Sequence, residues 1–389
     1  MAIIKHSGGK TVVVLGGGIG GITAARALRK RLAAKHRVVV IDRARDLLFQ
    51  PSLLWLNIGK RQAKAIQRPR SRLERRGIEV RYGEVEKIDA AARQVTVGGE
   101  TIDADYLVVS LGVDLVPEAI PGLQEGGHNF YTLAGAEGLR DALPTMKRGR
   151  IAFLTAAPAY KCPAAPYEAA LLVDYYLRKA KVRDDVTIDF YAAEPTPLFV
   201  AGPHWGDAVR KMYAMRNITL HSSHQIKSVD AATKRLDFAD GTSAEYDLLA
   251  YVPLHRPSLA VRESALASDN GWIIVDRNTL ETKFPGVYAI GDVTRIMLTL
   301  GKQLPMAGSF AAGQAEVVAK NISSLINSKD PKARFTGYGA CFFEIGYGMA
   351  GFGSGDFFGE PLPKVKLNMP GFRWHLGKVV LEKLFLSKL

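Results

Sequence analysis

A glycine-rich segment near the start of the chain constrains the fold more than any other feature. An apolar run, Thr11–Leu15, leads into Gly16-Gly17-Gly18-Ile19-Gly20-Gly21 and a helical stretch, and a second apolar run ends at Asp42. Gly16 allows a tight turn, Gly18 lets the backbone approach a pyrophosphate, and Gly21 lets the helix pack on the strand. Because Asp42 suits a ribose hydroxyl pair, the segment predicts a strand–helix–strand unit that binds a dinucleotide.

The charge of the chain points to anionic partners. With 389 residues it is long enough for two or three domains, and its net charge of +14 favours acidic lipid, nucleic acid or a small anion. No nucleic-acid-binding module is visible, and two cysteines are too few for a zinc-type Cys/His cluster. The preferred partners are therefore acidic lipid or a small anionic substrate, without nucleic acid and without a metal.

No export signal and no membrane span is predicted. Met1–Lys10 is short and polar, and no uninterrupted apolar run reaches the ~18 residues that a spanning helix needs. We therefore expect a protein that stays in the cytoplasm. A structural disulfide would be unusual there, whereas a catalytic one would not.

A second strand–helix–strand pattern, in residues 150–191, has lost its glycines. The turn after its first strand, Thr155–Pro163, contains no glycine and two prolines. Proline removes amide donors, and side chains block the close approach of a pyrophosphate. The fold is therefore expected to be kept at this second site, without NAD(P)H binding.

Segments further along the chain select the cofactor. Residues 282–292 resemble the second FAD motif of the two-dinucleotide flavoproteins, in which a Gly-Asp pair holds the ribityl chain. Residues 304–312 open a predicted helix whose N-terminus, by this resemblance, points at the pyrimidine end of the flavin. Ser110-Leu111-Gly112 resembles the turn that returns the chain from the FAD domain. The resemblance assigns to FAD the glycine loop, Asp42, Gly112, Gly291, Asp292, Ala307 and Gly308.

The two segments that contain cysteine are more specific. Residues 161–168 are Lys-Cys-Pro-Ala-Ala-Pro-Tyr-Glu, and residues 340–344 are Ala-Cys-Phe-Phe-Glu. With the FAD motifs, they resemble the sulfide:quinone oxidoreductases and the related flavocytochrome c sulfide dehydrogenase flavoprotein over nearly the whole chain. The resemblance implies that Cys162 and Cys341 form a redox-active disulfide or polysulfide bridge that oxidises sulfide. Electrons would pass through FAD to a membrane quinone, whereas two buried inert thiols are the alternative.

Side chains near the cysteines are candidate catalytic residues. Lys161 and the helix that follows it would lower the pKa of the Cys162 thiol. Glu168 and Glu344 are candidate proton acceptors, with a helix cap or an ion pair as the alternative role. His204 resembles a family histidine near the sulfide channel, with a structural role as the alternative.

The chain also departs from the family pattern. Many members have a third cysteine near the position of His128, which is itself a second candidate histidine. Residues 48–52, where the flavocytochrome subunit attaches its FAD through a cysteine, contain none, so non-covalent FAD is expected. Met306 replaces a lysine that is common in the family, and Lys302 is the candidate substitute for it.

The C-terminal tail is basic and amphipathic. From Leu367 to Leu389, apolar residues recur near helical spacing among lysines and arginines, and Pro370-Gly371 offers a helix start. The pattern predicts a helix that lies on acidic lipid, with a dimer contact or core packing as alternatives. Aromatic residues near Cys341 are candidates for a quinone pocket or for ordinary core. Those assigned to the quinone are Phe342, Tyr347, Phe352 and Phe357.

Together these patterns predict an α/β protein with two Rossmann-like domains. Residues 1–115 and 255–325 form the FAD domain, 116–254 the second domain with its degenerate loop, and 326–389 a membrane-associating region. The predicted enzyme is peripheral to the cell membrane on its cytoplasmic side, and self-association stays open. The rival interpretations are a soluble flavoprotein that serves a cytochrome, an NADH:quinone oxidoreductase, and a non-catalytic flavin-binding membrane partner.

Overall fold

The computed structural model describes residues 8–389 of the chain. The expectation for Met1–Lys10 falls mainly on residues 1–7, which lie outside the described part. The described residues form the following α-helices: α1 (Ile19–Arg31), α2 (Leu53–Asn57), α3 (Leu123–Gly126), α4 (Leu133–Ala142), α5 (Ala165–Lys179), α6 (Pro203–Ala214), α7 (Leu259–Arg262), α8 (Gly308–Ile326) and α9 (Phe372–Ser387).

The first sheet carries the glycine-rich loop. Its five strands are parallel, in the spatial order Val287–Ala289, Tyr106–Val109, Thr11–Leu15, Arg37–Asp42 and Glu79–Tyr82. Their valine-rich sequences suit strands that are buried on both faces. Because parallel strands end at the same edge, Leu15, Asp42, Val109 and Ala289 deliver their following loops to one place.

The second sheet has the same parallel construction. Its strands, in spatial order, are His128–Asn129, Leu248–Val252, Gly149–Thr155, Val186–Ala192 and Ile218–His221. The turn that contains Cys162 leaves the central strand Gly149–Thr155 and enters α5. The predicted α/β fold with parallel sheets is confirmed.

The C-terminal residues form an antiparallel sheet followed by α9. The strands Tyr338–Gly346, Met349–Asp356 and Lys364–Gly371 pair in chain order. Tyr347 and Gly348 form the first turn with positive φ at both positions, which matches the twist of a two-residue hairpin. Within residues 8–389, no helix has both the length and the apolar character to cross a membrane.

Four small antiparallel sheets complete the described part of the chain. They pair Val85–Asp89, Gln94–Val97 and Glu100–Asp103; Ile226–Asp230, Arg235–Phe238 and Ser243–Glu245; Asp46–Leu48 and Gln67–Pro69; and Asp114–Val116 and Leu254–Arg256.

Candidate active site

The glycine loop has the shape that a pyrophosphate requires. Gly16 has a φ of +92°, and a Cβ there would lie 2.3 Å from the Ser110 carbonyl oxygen. A Cβ on Gly21 would lie 1.8 Å from the Gly16 carbonyl oxygen, so α1 packs directly on the turn. Gly18, by contrast, faces open space at the first turn of α1. The amides of this turn are therefore accessible to a phosphate group, and the loop fits FAD.

Asp42 is held at the edge of this open space by an arginine that the sequence interpretation missed. The Gly17 amide donates to Asp42 Oδ2 at 2.7 Å, and Arg70 Nη2 lies 3.2 Å from the same oxygen. Arg70 Nε also donates to the Gly17 carbonyl oxygen at 3.1 Å. Burial lowers the pKa of Arg70, with Asp42 opposing that shift. Arg70 lies in a turn without a recognisable motif, so only the tertiary structure reveals its role.

The N-terminus of α8 faces the same region as the N-terminus of α1. Small residues allow the approach, since a Cβ on Gly20 would lie 3.3 Å from Ala311 Cβ, and one on Gly308 would lie 2.7 Å from Ile19 Cδ1. Ala307 precedes α8 with an extended backbone and makes no side-chain cap. The first amides of α8 therefore lack a side-chain acceptor there, as expected where a helix N-terminus faces a ligand.

The predicted Gly-Asp pair lies next to the start of α8. Gly291 has a φ of +73°, and its amide donates to Gln314 Oε1 on α8 at 2.7 Å. Burial raises the pKa of Asp292, and the nearby Lys161 opposes that shift. Gly112, with a φ of +68°, has open space where a side chain would be. These positions fit the ribityl and flavin parts of FAD.

Cys162 lies against the segment that leads into α8. Its amide donates to the Met306 carbonyl oxygen at 2.6 Å. Tyr131, a residue without a sequence signal, donates its hydroxyl to the carbonyl oxygens of Lys161 at 2.9 Å and Cys162 at 3.1 Å. Cys162 has a φ of +49°, a left-handed conformation that costs a non-glycine residue about 1–2 kcal/mol. The surrounding hydrogen bonds hold this strained position.

The fold brings the second cysteine to the first. Cys341 lies on the strand Tyr338–Gly346, whose Ala340 amide donates to Ser309 Oγ on α8 at 3.3 Å. Cys341 Sγ donates to the Phe342 carbonyl oxygen at 3.2 Å, and both cysteines are free thiols. The neighbouring Cys162 thiol and burial raise the pKa of Cys341 well above its usual value. Two sulfurs from distant parts of the sequence thus meet at the start of α8.

A buried chain of charged groups connects this region to α9. Glu168 Oε1 accepts from Lys378 Nζ at 3.0 Å and from the Glu344 amide at 2.7 Å. His375 Nδ1 lies 3.0 Å from each Glu344 carboxylate oxygen. Burial raises the pKa of Glu168 despite Lys378. Burial alone would lower the pKa of Lys378, but Glu168 and Glu344 together raise it.

Two partners in this chain were not among the predicted site residues. Lys378 was placed among the polar residues of a lipid-bound tail, and His375 had no assigned role. In the structure, Lys378 is buried and its charge lowers the Cys341 pKa while Glu168 raises it. The ion-pair role that the sequence left open for Glu168 and Glu344 is the contact observed.

The remaining predicted side chains differ in burial. Burial lowers the pKa of Lys161, while the charges of Asp292 and Cys162 oppose the shift. His204 is exposed in the first turn of α6 and makes no hydrogen bond or ion pair within residues 8–389. His128 is partly buried on its short strand, and burial lowers its pKa.

Lys302 does not lie where a flavin contact would need it. Its side chain is exposed, and Nζ lies 5.7 Å from the centroid of the Phe199 ring. The residue sits in a turn closed by a bridge between Met297 and Gln303, which directs the side chain outward. The structure therefore gives no support to Lys302 as the substitute for the lysine that Met306 replaces.

The aromatic residues assigned to the quinone do not form one group. Phe342 and Phe352 are paired across the hairpin with ring centroids 5.0 Å apart, and Trp374 of α9 stacks on Phe352 at 4.6 Å. Tyr347 lies at the hairpin turn, five residues from Phe342 and Phe352 and thus roughly 16 Å along an extended strand. The fourth predicted residue lies beyond the opposite end of the hairpin.

That fourth residue, Phe357, belongs to the core of the first sheet. Its ring lies 4.9 Å from that of Phe310 on α8, and its side chain is buried. A common quinone pocket made of all four rings is therefore wrong. Strand geometry explains the error, because proximity in sequence around a hairpin spreads side chains along its length.

Comparison with known proteins places the chain in a family. The pattern described as "Pyridine nucleotide-disulphide oxidoreductase" matches residues 10–154 and 168–315. The chain belongs to this family. The match agrees with the two parallel five-stranded sheets of the fold.

Relatives within the family carry a narrower name. The mouse "Sulfide:quinone oxidoreductase, mitochondrial" is 27% identical over 369 residues, which cover 90% of this chain and 79% of the mouse protein. The "Sulfide-quinone reductase" of Aquifex aeolicus is 28% identical over 405 residues, which cover 97% of this chain and 91% of that protein. The predicted resemblance and the oxidoreductase class are confirmed.

Solved structures agree with the relatives. The X-ray structure of the sulfide:quinone oxidoreductase from Aquifex aeolicus matches with a TM-score of 0.86 at 26% identity, covering 97% of this chain and 91% of that chain. NDH2 from Plasmodium falciparum in complex with NADH matches with a TM-score of 0.75 at 14% identity, covering 97% and 95%. The second match shows the shared fold alone.

In the second nucleotide-type unit, the acidic residue after the second strand is hydrogen-bonded to other side chains of the protein. Glu194 follows the second strand of that unit, as Asp42 ends the second strand of the first. Its buried carboxylate accepts from Tyr167 at 2.6 Å, from Thr155 at 2.9 Å, and from Tyr160. A carboxylate occupied in this way has little capacity left for a ribose. The second unit therefore lacks the glycines for a pyrophosphate, which the sequence shows, and also a free carboxylate for a ribose, which only the structure shows.

Proposed function

We propose that this protein is a sulfide:quinone oxidoreductase that works through a Cys162–Cys341 redox pair. The observation that carries the proposal is the convergence of the two cysteine segments on the start of α8: Cys162 is hydrogen-bonded to the Met306 carbonyl oxygen, and Ala340, next to Cys341, is hydrogen-bonded to Ser309. The Cys162 thiol lies near enough to Cys341 to raise its pKa. The relatives named for sulfide and quinone, which align over most of the chain, support the same reaction.

The cysteine chemistry is a thiol–disulfide exchange. HS⁻ attacks one sulfur of a Cys162–Cys341 bridge, the S–S bond breaks, and one cysteine becomes a persulfide while the other leaves as a thiolate. Joining persulfide and thiolate into a bridge with one added sulfur releases two electrons and one proton. A second HS⁻ then removes the added sulfur as HSS⁻ and restores the original bridge.

The proton needs an acceptor close to Cys341. Glu168 suits this role because burial raises its pKa, and because its charge and that of Lys378 both influence the Cys341 thiol. Lys378 holds the carboxylate in position at 3.0 Å. Tyr131 fixes the backbone next to Cys162 by donating to the Lys161 carbonyl oxygen. The Lys161 side chain supplies a positive charge near Cys162.

The electrons require FAD, which supplies two-electron transfer from the sulfurs to a quinone when it is bound. The glycine loop, Asp42, Gly291, Asp292 and the first turn of α8 would hold it. We assign non-covalent binding, because residues 48–52 offer no cysteine for attachment. The occupied Glu194 argues against NAD(P)H as the electron donor.

Helix α9 supports peripheral attachment to the cytoplasmic face of an acidic membrane. Its faces are the reverse of those of an ordinary surface helix, since Lys378 and Glu382 are buried while apolar side chains are exposed. Phe372 is 70% exposed and Leu376 61%, and the nearby Met369 is 79% exposed. An exposed apolar patch next to basic residues is typical of a lipid contact.

Flavin reduction tests the donor directly. The yellow protein is mixed anaerobically with sulfide, then separately with NADH, and bleaching of the flavin absorbance is followed with and without a short-chain quinone. We expect bleaching by sulfide and reoxidation by quinone. Bleaching by NADH alone would replace the proposal with an NADH oxidoreductase. Full sulfide turnover by Cys162→Ser or Cys341→Ser would remove the redox pair from the mechanism.

Liposome sedimentation tests the membrane contact. Leu376→Glu places a charge on the exposed face of α9 and should release the protein from acidic liposomes. Ile274→Glu is the matched control, because Ile274 is 61% exposed, as Leu376 is, and lies between α7 and α8 in the sequence, outside the C-terminal sheet and α9. Equal retention of the two variants on liposomes would show that α9 is not the lipid contact.

A further inference from the structure

A cavity of about 520 Å³ lies between α9 and the segment from residue 55 to residue 68. It has no part in the sulfide mechanism above. Lys60, Arg61, Arg68 and Lys383 line it, together with Trp55, Ala65, His375, Val379, Glu382 and Leu386. Four cations and one carboxylate give its wall an excess of three positive charges, apart from His375.

The cavity cations differ in how their charge is balanced. Arg61 Nε contacts both Glu382 carboxylate oxygens, at 3.0 and 3.1 Å. Lys60, Arg68 and Lys383 form no ion pair with any carboxylate in residues 8–389. Arg68 uses Nη1 to cap the turn before it, so its Nε and Nη2 remain without a partner in the described part of the chain. Three uncompensated cations around one cavity favour an anionic ligand.

Trp55 forms part of the cavity wall. Its side chain is only 1% exposed, yet its indole Nε1–H has no hydrogen-bond acceptor among the described residues. A buried donor without an acceptor costs about 1–3 kcal/mol, and most buried donors in proteins have a partner. Trp55 lines the cavity, but its Nε1 atom is itself buried, so this donor lies within the wall and not at the surface that a ligand would touch.

The position of the cavity identifies the source of the anion. Lys383 and Val379 contribute to its wall from α9, and the neighbouring Leu376, Val380 and Leu384 are exposed on the same helix. An anionic group in the cavity therefore lies next to an exposed apolar stripe. A phospholipid combines a phosphate with acyl chains in this arrangement, whereas a quinone carries no charge to match the cations.

We propose that the cavity binds the phosphate headgroup of one anionic phospholipid, whose acyl chains lie along Leu376, Val380 and Leu384. Arg68 and Lys60 supply the charged donors. The proposal rests on the peripheral membrane attachment proposed above. It adds a defined lipid site to what would otherwise be a general attraction to acidic membranes.

Calorimetric titration of the full-length, FAD-loaded protein tests the site. The ligand is dihexanoyl phosphatidylglycerol below its micelle concentration, compared with dihexanoyl phosphatidylcholine and inorganic phosphate. We expect saturable binding of one phosphatidylglycerol per chain, with weaker binding of both comparison ligands. Lys60→Gln and Arg68→Gln should each weaken it about tenfold, because each removes a charge-assisted contact.

Lys388→Gln is the matched control, since it removes the same charge from the exposed end of α9 outside the cavity. Its affinity should change less than about twofold. Equal weakening by Lys388→Gln would show a non-specific charge effect, and equal affinity for inorganic phosphate would show a simple anion site. Either result, or the absence of saturable binding, overturns the lipid site.

The titration involves neither sulfide nor quinone and needs no membrane. Failure to bind phosphatidylglycerol therefore leaves the oxidoreductase proposal and the liposome test unaffected. Conversely, Lys60→Gln and Arg68→Gln leave the exposed apolar residues of α9 intact, so retention of these variants on liposomes separates the membrane contact of α9 from the headgroup site. Thermal unfolding of each variant shows whether a lost affinity reflects a lost fold.

Discussion

The buried pair of Glu168 and Lys378 gives a prediction that can be worked out in energy. The side chains are 2% and 6% exposed, and the charged atoms lie 3.0 Å apart. At an effective dielectric constant of about 20, their Coulomb attraction is about 5.5 kcal/mol, and breaking a buried pair costs about 3–5 kcal/mol. Glu168→Leu leaves the Lys378 ammonium buried and also removes the acceptor of the Glu344 amide.

The lost stabilisation of Glu168→Leu should appear first as local opening of α9, because the Glu168–Lys378 pair joins that helix to α5. A cost of about 3 kcal/mol corresponds to a factor of roughly 150 in the opening equilibrium. Hydrogen exchange of residues 372–387, read by mass spectrometry, measures this factor. Glu316→Leu is the control, since its carboxylate is 46% exposed and its ion pair with Arg31 is expected to contribute at most about 1 kcal/mol.

A double variant separates the ion pair from packing. Glu168→Leu with Lys378→Met removes both charges, so the combined loss should be smaller than the sum of the single losses by about 2–3 kcal/mol. Part of the loss remains, because the Glu344 amide still lacks its acceptor. Two results would refute the energetic coupling of Glu168 and Lys378. One is a loss of stability in the double variant that equals the sum of the single losses, and the other is the same protection factor for α9 in Glu168→Leu as in Glu316→Leu.

Three further predictions follow from single contacts. Arg70→Met should weaken FAD binding about tenfold or more in a fluorescence titration, because Asp42 loses a charged partner; unchanged affinity would contradict this. Burial and Lys161 lower the His255 pKa from 6.5 to about 3. Between these two pH values the unfolded state binds more protons than the folded state, so the free energy of unfolding falls as the pH is lowered through this range. His255→Gln should remove a slope of about 1.4 kcal/mol per pH unit from urea-unfolding data, and an unaltered slope would exclude this cause. Cys162→Ala should lower the pKa of Cys341, seen as thiolate absorbance appearing at lower pH; an unmoved midpoint would show that burial alone sets it.

The local patterns predicted the nucleotide-binding elements closely. The strand Thr11–Leu15 has the predicted bounds, and α1 begins at Ile19, within the glycine loop itself. The valine-rich runs and the glycine spacing carry this information because strand burial and turn conformation depend on adjacent residues. The prediction of α8 was similarly close, since its start follows the segment that carries Ala307 and Gly308.

The surroundings of these elements were less accessible to sequence reasoning. Arg70 reaches Asp42 from a turn without a motif, and Glu194 is occupied by hydroxyl groups from three other positions. The quinone assignment placed Tyr347 and Phe357 together with the other rings, although the hairpin separates them. Each of these cases depends on which side chains meet across elements, and spacing along the chain does not specify that.

The sequence by itself determined the class of fold, the loop for a dinucleotide, and the resemblance that joins Cys162 to Cys341. These conclusions rest on short-range constraints: turn geometry, strand burial and the identity of reactive side chains. Only the tertiary structure decided that α9 buries its charges and exposes its apolar residues. That inversion follows because Glu168 provides a buried counter-charge for Lys378, and a buried charge is stable only where such a partner meets it.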